Sequence, residues 1–257
     1  MTAIFKREFK AYFATPIGFV YLAISYLVLG WLFSSAYSAG VPELGPYYIS
    51  FLRIVALLTV PVITMRLMSD DRRQKVDQVL LTSPVKTTDI ILGKFLSALA
   101  LYALTVVPTV IFELIISAYV SINWLSYFYA VLGILLLGAV FIAMGMFFSS
   151  VTESVVMAAL ITYGANIFTA FISFLPDFLS SLANNISTSS SAFGWLFKGV
   201  QGILSGLSVF FEKISVFSSV SNFGNSVFSI PDIVLFLSIT AAFLFFSVRM
   251  LERRRWA

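Results

Sequence analysis

An all-α integral membrane protein of six transmembrane helices is the fold class that this sequence predicts. Three observations predict it. Of 257 residues, 60% are hydrophobic and only 11% are charged, whereas soluble domains carry roughly a quarter charged residues. Six apolar runs have the length of a bilayer crossing. The basic residues gather at alternate ends of those runs. A soluble two-layer fold cannot bury so much apolar side chain, but lipid can cover it.

Residues 1–15 predict a short amphipathic elbow helix. At about 100° per residue, Phe5, Phe9, Tyr12 and Phe13 share one face, and Lys6, Arg7 and Lys10 occupy the other. Glu8 interrupts the apolar edge. Such a helix lies in the headgroup plane, with its aromatics in lipid and its lysines towards phosphate. Pro16 ends it and opens the first span. A competing reading is a cleaved signal peptide, with Ala36–Gly40 as the cleavage region. Its basic region would be unusually long and its apolar run longer than an ordinary signal core.

Roughly twenty apolar residues cross the ~30 Å hydrocarbon core as a helix. The runs that satisfy this are Ile17–Phe33, Ile49–Met68, Phe95–Tyr119, Leu125–Phe148, Ser154–Leu175 and Ile233–Met250. Pro61 and Pro108 lie inside two of them, so kinks are expected where neighbouring helices re-satisfy the freed carbonyls. Gly138, Ala139, Ala143 and Gly145 in the fourth run permit close helix approach. Arg53 and Glu113 are the strongly charged residues placed inside spans away from the basic ends. They lie about 6 Å and about 9 Å from the outer ends of their spans at 1.5 Å per residue. A charge in a membrane helix costs about 2.5–3.5 kcal/mol on insertion scales, so an Arg53–Glu113 ion pair is expected. The alternative is that Arg53 snorkels to the headgroups and Glu113 is protonated.

Of the 16 basic residues, only Arg53, Lys198 and Lys213 fall on one predicted face, and the other thirteen fall opposite. The positive-inside rule therefore places both termini in the cytoplasm. The net charge of +4 is thus topological, and no nucleic-acid partner is expected. The stretch 192–211 is apolar enough to resemble a seventh span. It contains Lys198 and Gln201, and as a span it would export the basic C-terminus. It is read as an interfacial or re-entrant helix within an extracytoplasmic segment, 176–231. Asn185-Ile186-Ser187 fits a glycosylation sequon and is read as a chance match.

Between spans two and three lies a cytoplasmic segment, 69–90. Ser69 is placed to cap a helix, Asp70 and Asp71 suit its positive end, and Pro84 stops it. Val76, Val79 and Leu80 form one apolar stripe on an otherwise charged helix. The stripe reads either as a docking face or as a face resting on the membrane or on the protein's own helices. Ser150 and Glu153, between spans four and five, have capping-box spacing and are read as the helix cap of span five.

Cysteine and histidine are absent, which removes disulfides, thiol nucleophiles, imidazole bases and the usual zinc, copper and haem ligands. No catalytic residue and no metal ligand is assigned. A Gly-x-x-x-x-Gly-Lys-Ser/Thr phosphate loop is missing as well, so no cofactor is expected on this chain. ATP, if used, must bind a separate polypeptide.

The run Val79-Leu-Leu-Thr-Ser-Pro-Val85, followed by Asp89-Ile-Ile-Leu-Gly-Lys94, closely resembles the permease subunits of ABC-2-type transporters. It looks most like the branch that includes gliding-motility-associated permeases. The resemblance extends over residues 1–257 as a single transmembrane domain. It implies that residues 69–83 form the coupling helix, on which an ABC ATPase subunit carrying ATP and Mg docks through Asp71, Arg72, Arg73, Val76, Asp77, Gln78, Val79, Leu80 and Leu81. Many relatives have Gly-Thr and then Glu where this chain has Lys75-Val76 and Gln78. The resemblance further implies export through a bacterial cytoplasmic (inner) membrane, with a second permease copy or paralogue as partner. An auxiliary membrane protein with an extracytoplasmic domain often accompanies that branch. Few polar groups line the spans, which favours an amphiphilic or lipid-linked substrate. A mechanotransmitting or signalling module that moves no substrate is the alternative, and an intramembrane enzyme is a more distant one.

Overall fold

In the computed structural model, the described residues are 1–38, 45–73, 86–119, 121–185, 194–225 and 227–255. They are helical or in short connections, with no strand among them. In chain order the helices are α1 (Thr2–Ala14), α2 (Pro16–Ser38), α3 (Gly45–Thr64), α4 (Ser69–Arg73), α5 (Thr87–Leu104) and α6 (Val107–Ser117). They continue with α7 (Trp124–Val151), α8 (Val155–Ile172), α9 (Leu175–Asn185), α10 (Gly194–Ile214), α11 (Val216–Gly224) and α12 (Ile230–Arg255).

Six stretches among the described residues are long and apolar enough to cross a membrane: Pro16–Ser38, Ile49–Arg73, Thr87–Ser117, Trp124–Val151, Val155–Leu182 and Ile230–Arg253. They coincide with the six predicted runs and extend each at one or both ends. The fifth passes the predicted boundary at Leu175, because Pro176 sits in the first turn of α9, where no helical N–H is required. Phe178 N then donates to Phe174 O at 3.0 Å.

The centre of the bundle is α7, which packs against α3, α5, α8, α11 and α12. It is apolar all round, as a helix enclosed by others should be. Two of its glycines are there because neighbours come too close for a side chain. A Cβ at Gly138 would overlap the Tyr102 ring, and one at Gly145 would overlap the Thr64 hydroxyl. With Gly138 bare, the Tyr102 hydroxyl reaches across and donates to Ile134 O at 3.2 Å. In contrast, α2 and α8 turn Leu27, Trp31, Leu160 and Phe168 outward, the surface that lipid must cover.

Pro108 breaks the third span as expected, dividing it into α5 and α6. Proline has no N–H to offer the carbonyl four residues back, which is Leu104 O. The Tyr26 hydroxyl of α2 donates to that carbonyl at 2.9 Å. Helix α3 continues through Pro61. There the Tyr163 hydroxyl donates to Leu58 O at 2.5 Å, one residue beyond the carbonyl that proline leaves free.

After α9 the chain forms two helices joined by a sharp bend. Helix α10 ends at Ile214, the axis bends by 71°, and α11 then lies buried against α7, α3 and α12. The Ser215 hydroxyl accepts from Ser218 N at 3.2 Å, an ordinary N-cap. Val216, Val220 and Phe223 recur at i, i+4 and i+7 and are all buried. That spacing was present in the sequence but was read only as part of an outer segment.

Candidate functional site

Lys94 lies two turns into α5 in a run that is otherwise almost wholly apolar, and it is 1% exposed. A buried ammonium is tolerated only when its three protons are satisfied. Lys94 Nζ donates to Leu67 O at 2.7 Å and pairs with Asp71 Oδ2 at 2.7 Å and Glu8 Oε1 at 3.2 Å. One side chain thus ties α5 to α1 and to the α3–α4 junction. Glu8 also takes Arg7 at 2.5 Å. Glu8 is half-buried on the same side of α1 as Phe5, Phe9, Tyr12 and Phe13, while Lys6, Arg7 and Lys10 are exposed. The residue that spoils the amphipathic pattern is the one that meets the buried cation.

A second anchor holds the same junction from α7. The chain leaves regular helix over 65–68, freeing backbone groups that need partners. Ser149 Oγ accepts from Met68 N and Ser69 N, both at 3.1 Å. Beside it, Arg72 pairs with Glu153 at 2.7 Å and donates to Val151 O at 3.3 Å. Beyond residues 74–85, Thr87 opens α5 and donates to Glu252 of α12 at 3.3 Å. The described residues just before position 74 are therefore held by α1, α5 and α7, and Thr87 is held by α12. All these contacts lie at the end of the bundle that carries both chain termini.

The sequence-predicted residues fall differently within this frame. Asp71 and Arg72 are part of it, and Arg73 is exposed at the end of α4. Val76, Asp77, Gln78, Val79, Leu80 and Leu81 lie outside the described residues. Ser69 does not cap: its hydroxyl donates to Met65 O, because Met65 has left the helix and its carbonyl is within reach. Nor do Ser150 and Glu153 form a capping box. Helix α7 runs on to Val151, so Ser150 is still helical and donates to Phe147 O at 2.6 Å. Ser154 caps α8 instead, accepting from Met157 N at 3.5 Å, and Glu153 is drawn away to Arg72.

The expected Arg53–Glu113 ion pair is not among the ion pairs of the described residues. Arg53 Nη1 makes a long contact of 3.5 Å to Ser221 Oγ, and its guanidinium lies 5.2 Å over the Phe217 ring. Both partners belong to α11, whose insertion beside α3 places an aromatic face and a hydroxyl nearer than α6. Glu113 is buried at 3% exposure on α6.

Sequence reasoning assigned no role to Lys94, Glu8 or Ser149. Each left a signal, since Lys94 and Glu8 are isolated charges on apolar faces. Ser149 left less, being one of two adjacent serines at a helix end. Together these residues supply no nucleophile with an adjacent base; their chemistry is mechanical, linking helices through charge and hydrogen bonds. No curated protein matches this sequence. Residues 45–255 match the profile described as ABC-2 family transporter protein, a stretch that takes in five of the six apolar spans and most of the junction just described. The chain therefore belongs to the ABC-2 transporter family, as a multi-pass membrane permease component.

Proposed function

We propose that this chain is the permease subunit of an ATP-driven exporter, docked by a separate ATPase subunit on a coupling helix within 69–90. In this reading α1 is the elbow helix, α10 with α11 forms a re-entrant hairpin on the extracytoplasmic side, and both termini face the cytoplasm of a bacterial inner membrane. Two permease copies, or this chain and a paralogue, work with two ATPase subunits that bind ATP and Mg. The substrate is amphiphilic or lipid-linked, in keeping with spans that offer few polar groups. Resemblance to the gliding-motility-associated branch makes room for an auxiliary subunit with an extracytoplasmic domain.

The observation that carries this reading is the anchoring of both flanks of the 74–85 stretch. A segment tethered through Lys94, Ser149, Arg72 and Thr87 to α1, α5, α7 and α12 can pass a push to helices throughout the bundle. An untethered loop would absorb it. The test is to change Val79 and Leu80 together to Asp and to co-purify the permease with its ATPase. Loss of the ATPase from a normally inserted permease is expected, since the sequence predicts an apolar stripe there on an otherwise charged segment, and an exposed apolar patch marks an interaction site. Unchanged co-purification would overturn the docking assignment.

A further inference from the structure

A cavity of about 390 Å³ opens where α1 turns into α2 and α3 gives way to α4. It lies at the ends of two membrane spans, Pro16–Ser38 and Ile49–Arg73, the level at which phospholipid headgroups sit. Ile17 and Ile63 contribute apolar wall, and Arg7, Arg66, Asp70 and Asp71 contribute charge. Its size is within the range of small-ligand sites, about 300–1,000 Å³.

Most of the charge lining this cavity is already committed. Arg7 pairs with Glu8, and both Glu8 and Asp71 pair with Lys94. Two opposite charges are left over. Among the described residues, Arg66 and Asp70 make neither an ion pair nor a hydrogen bond. They stand four positions apart, Arg66 within the turn at 65–68 and Asp70 in α4. A cavity that presents one uncommitted cation and one uncommitted anion complements a small zwitterion. An anionic headgroup would leave Asp70 facing like charge, and a quaternary ammonium could not donate a hydrogen bond to it.

We propose that this cavity binds the headgroup of a phosphatidylethanolamine-type lipid, with the phosphate on Arg66 and the primary ammonium on Asp70. The acyl chains would run down past Ile17 and Ile63 into the bilayer. A lipid seated there bridges α1 to the α3–α4 junction. The assignment requires only that the chain spans a membrane and does not depend on the exporter reading.

The experiment is thermal unfolding of the delipidated full-length permease in detergent, titrated separately with phosphatidylethanolamine, phosphatidylcholine, phosphatidylglycerol and soluble phosphoethanolamine. Phosphatidylethanolamine is expected to stabilise at about tenfold lower concentration than the other two lipids, the value of one charge-assisted hydrogen bond. Soluble phosphoethanolamine, lacking acyl chains, should act only at far higher concentration. Asp70→Asn should abolish the preference for ethanolamine over glycerol. Arg66→Gln should weaken all three lipids, while Arg66→Lys should keep the order. Equal stabilisation of the unmodified permease by the three lipids would overturn the proposal even if no variant folds. A preference that survives both Asp70→Asn and Arg66→Gln would overturn it as well.

Discussion

Lys94 shows how one residue can organise an end of a helical bundle. Removing a single partner of a buried ion pair costs about 3–5 kcal/mol, because the charge left behind has no water to return to. Lys94→Ala leaves Glu8 and Asp71 facing each other, so it is expected to destabilise the permease by about that amount. Lys94→Met with Glu8→Gln and Asp71→Asn removes the charges together and should recover much of the loss. Thermal unfolding in detergent of the two variants checks this, and equal losses would show that the site is held by packing alone. Glu8 is the informative partner: it is a flaw in the α1 pattern seen alone and a ligand once α5 is in place. Tyr12, on the same face, has a buried hydroxyl, and burial first, then the Glu8 charge, pushes its phenol up. It therefore stays neutral across physiological pH.

At the scale of elements, the broken third span is the best test of how proline is accommodated. Leu104 O is freed by Pro108 and taken by Tyr26. Hydrogen bonds between membrane helices are worth about 0.6 kcal/mol on average and up to about 1.7. Tyr26→Phe is expected to lose an amount in that range. In a Pro108→Ala background the helix can satisfy Leu104 O by itself, so the same Tyr26→Phe change should cost almost nothing. A double-mutant cycle by thermal unfolding measures the coupling, and additive losses would mean that Tyr26 serves some other purpose. Helix α11 makes the opposite case. Its serines hide its apolar stripe from a hydropathy reading, yet it buries Val216, Phe217, Val220 and Phe223 and supplies the partners of Arg53.

For the molecule as a whole, the arrangement of the spans carries an orientation that charge bias assigns. With both termini and 69–90 in the cytoplasm and 176–231 outside, a cysteine at position 190 should react with an impermeant thiol reagent in intact cells. One at position 75 should not. The chain has no cysteine, so each label reports one site. Reversed labelling would invert the topology, and with it the face on which an ATPase could dock. The network around Lys94, Ser149, Arg72 and Thr87 gathers at the end that the charge bias predicts to be cytoplasmic.

The six candidate spans, their approximate ends, a helix ahead of the first span and the break at Pro108 were legible in the sequence alone. Lipid acts on each stretch of chain locally: a run of twenty apolar residues has the length and character to cross whatever its neighbours do, and a proline frees the same carbonyl in any context. Polar partnerships were not legible, because each depends on which helix arrives alongside. Arg53 was matched by depth with Glu113, the charge in the next span, but it meets Ser221, 168 positions away in the chain. The reason is that α11 packs beside α3, and its stripe of Val216, Val220 and Phe223 does not by itself say which helix it will meet. Ser150 and Glu153 had the spacing of a cap and yielded to Ser154 because Arg72 claims Glu153. Hydropathy and charge bias set what crosses the bilayer, whereas the tertiary packing of α1, α4, α5 and α7 decides which charges meet, since a buried charge takes whatever partner the folded helices bring within about 3 Å.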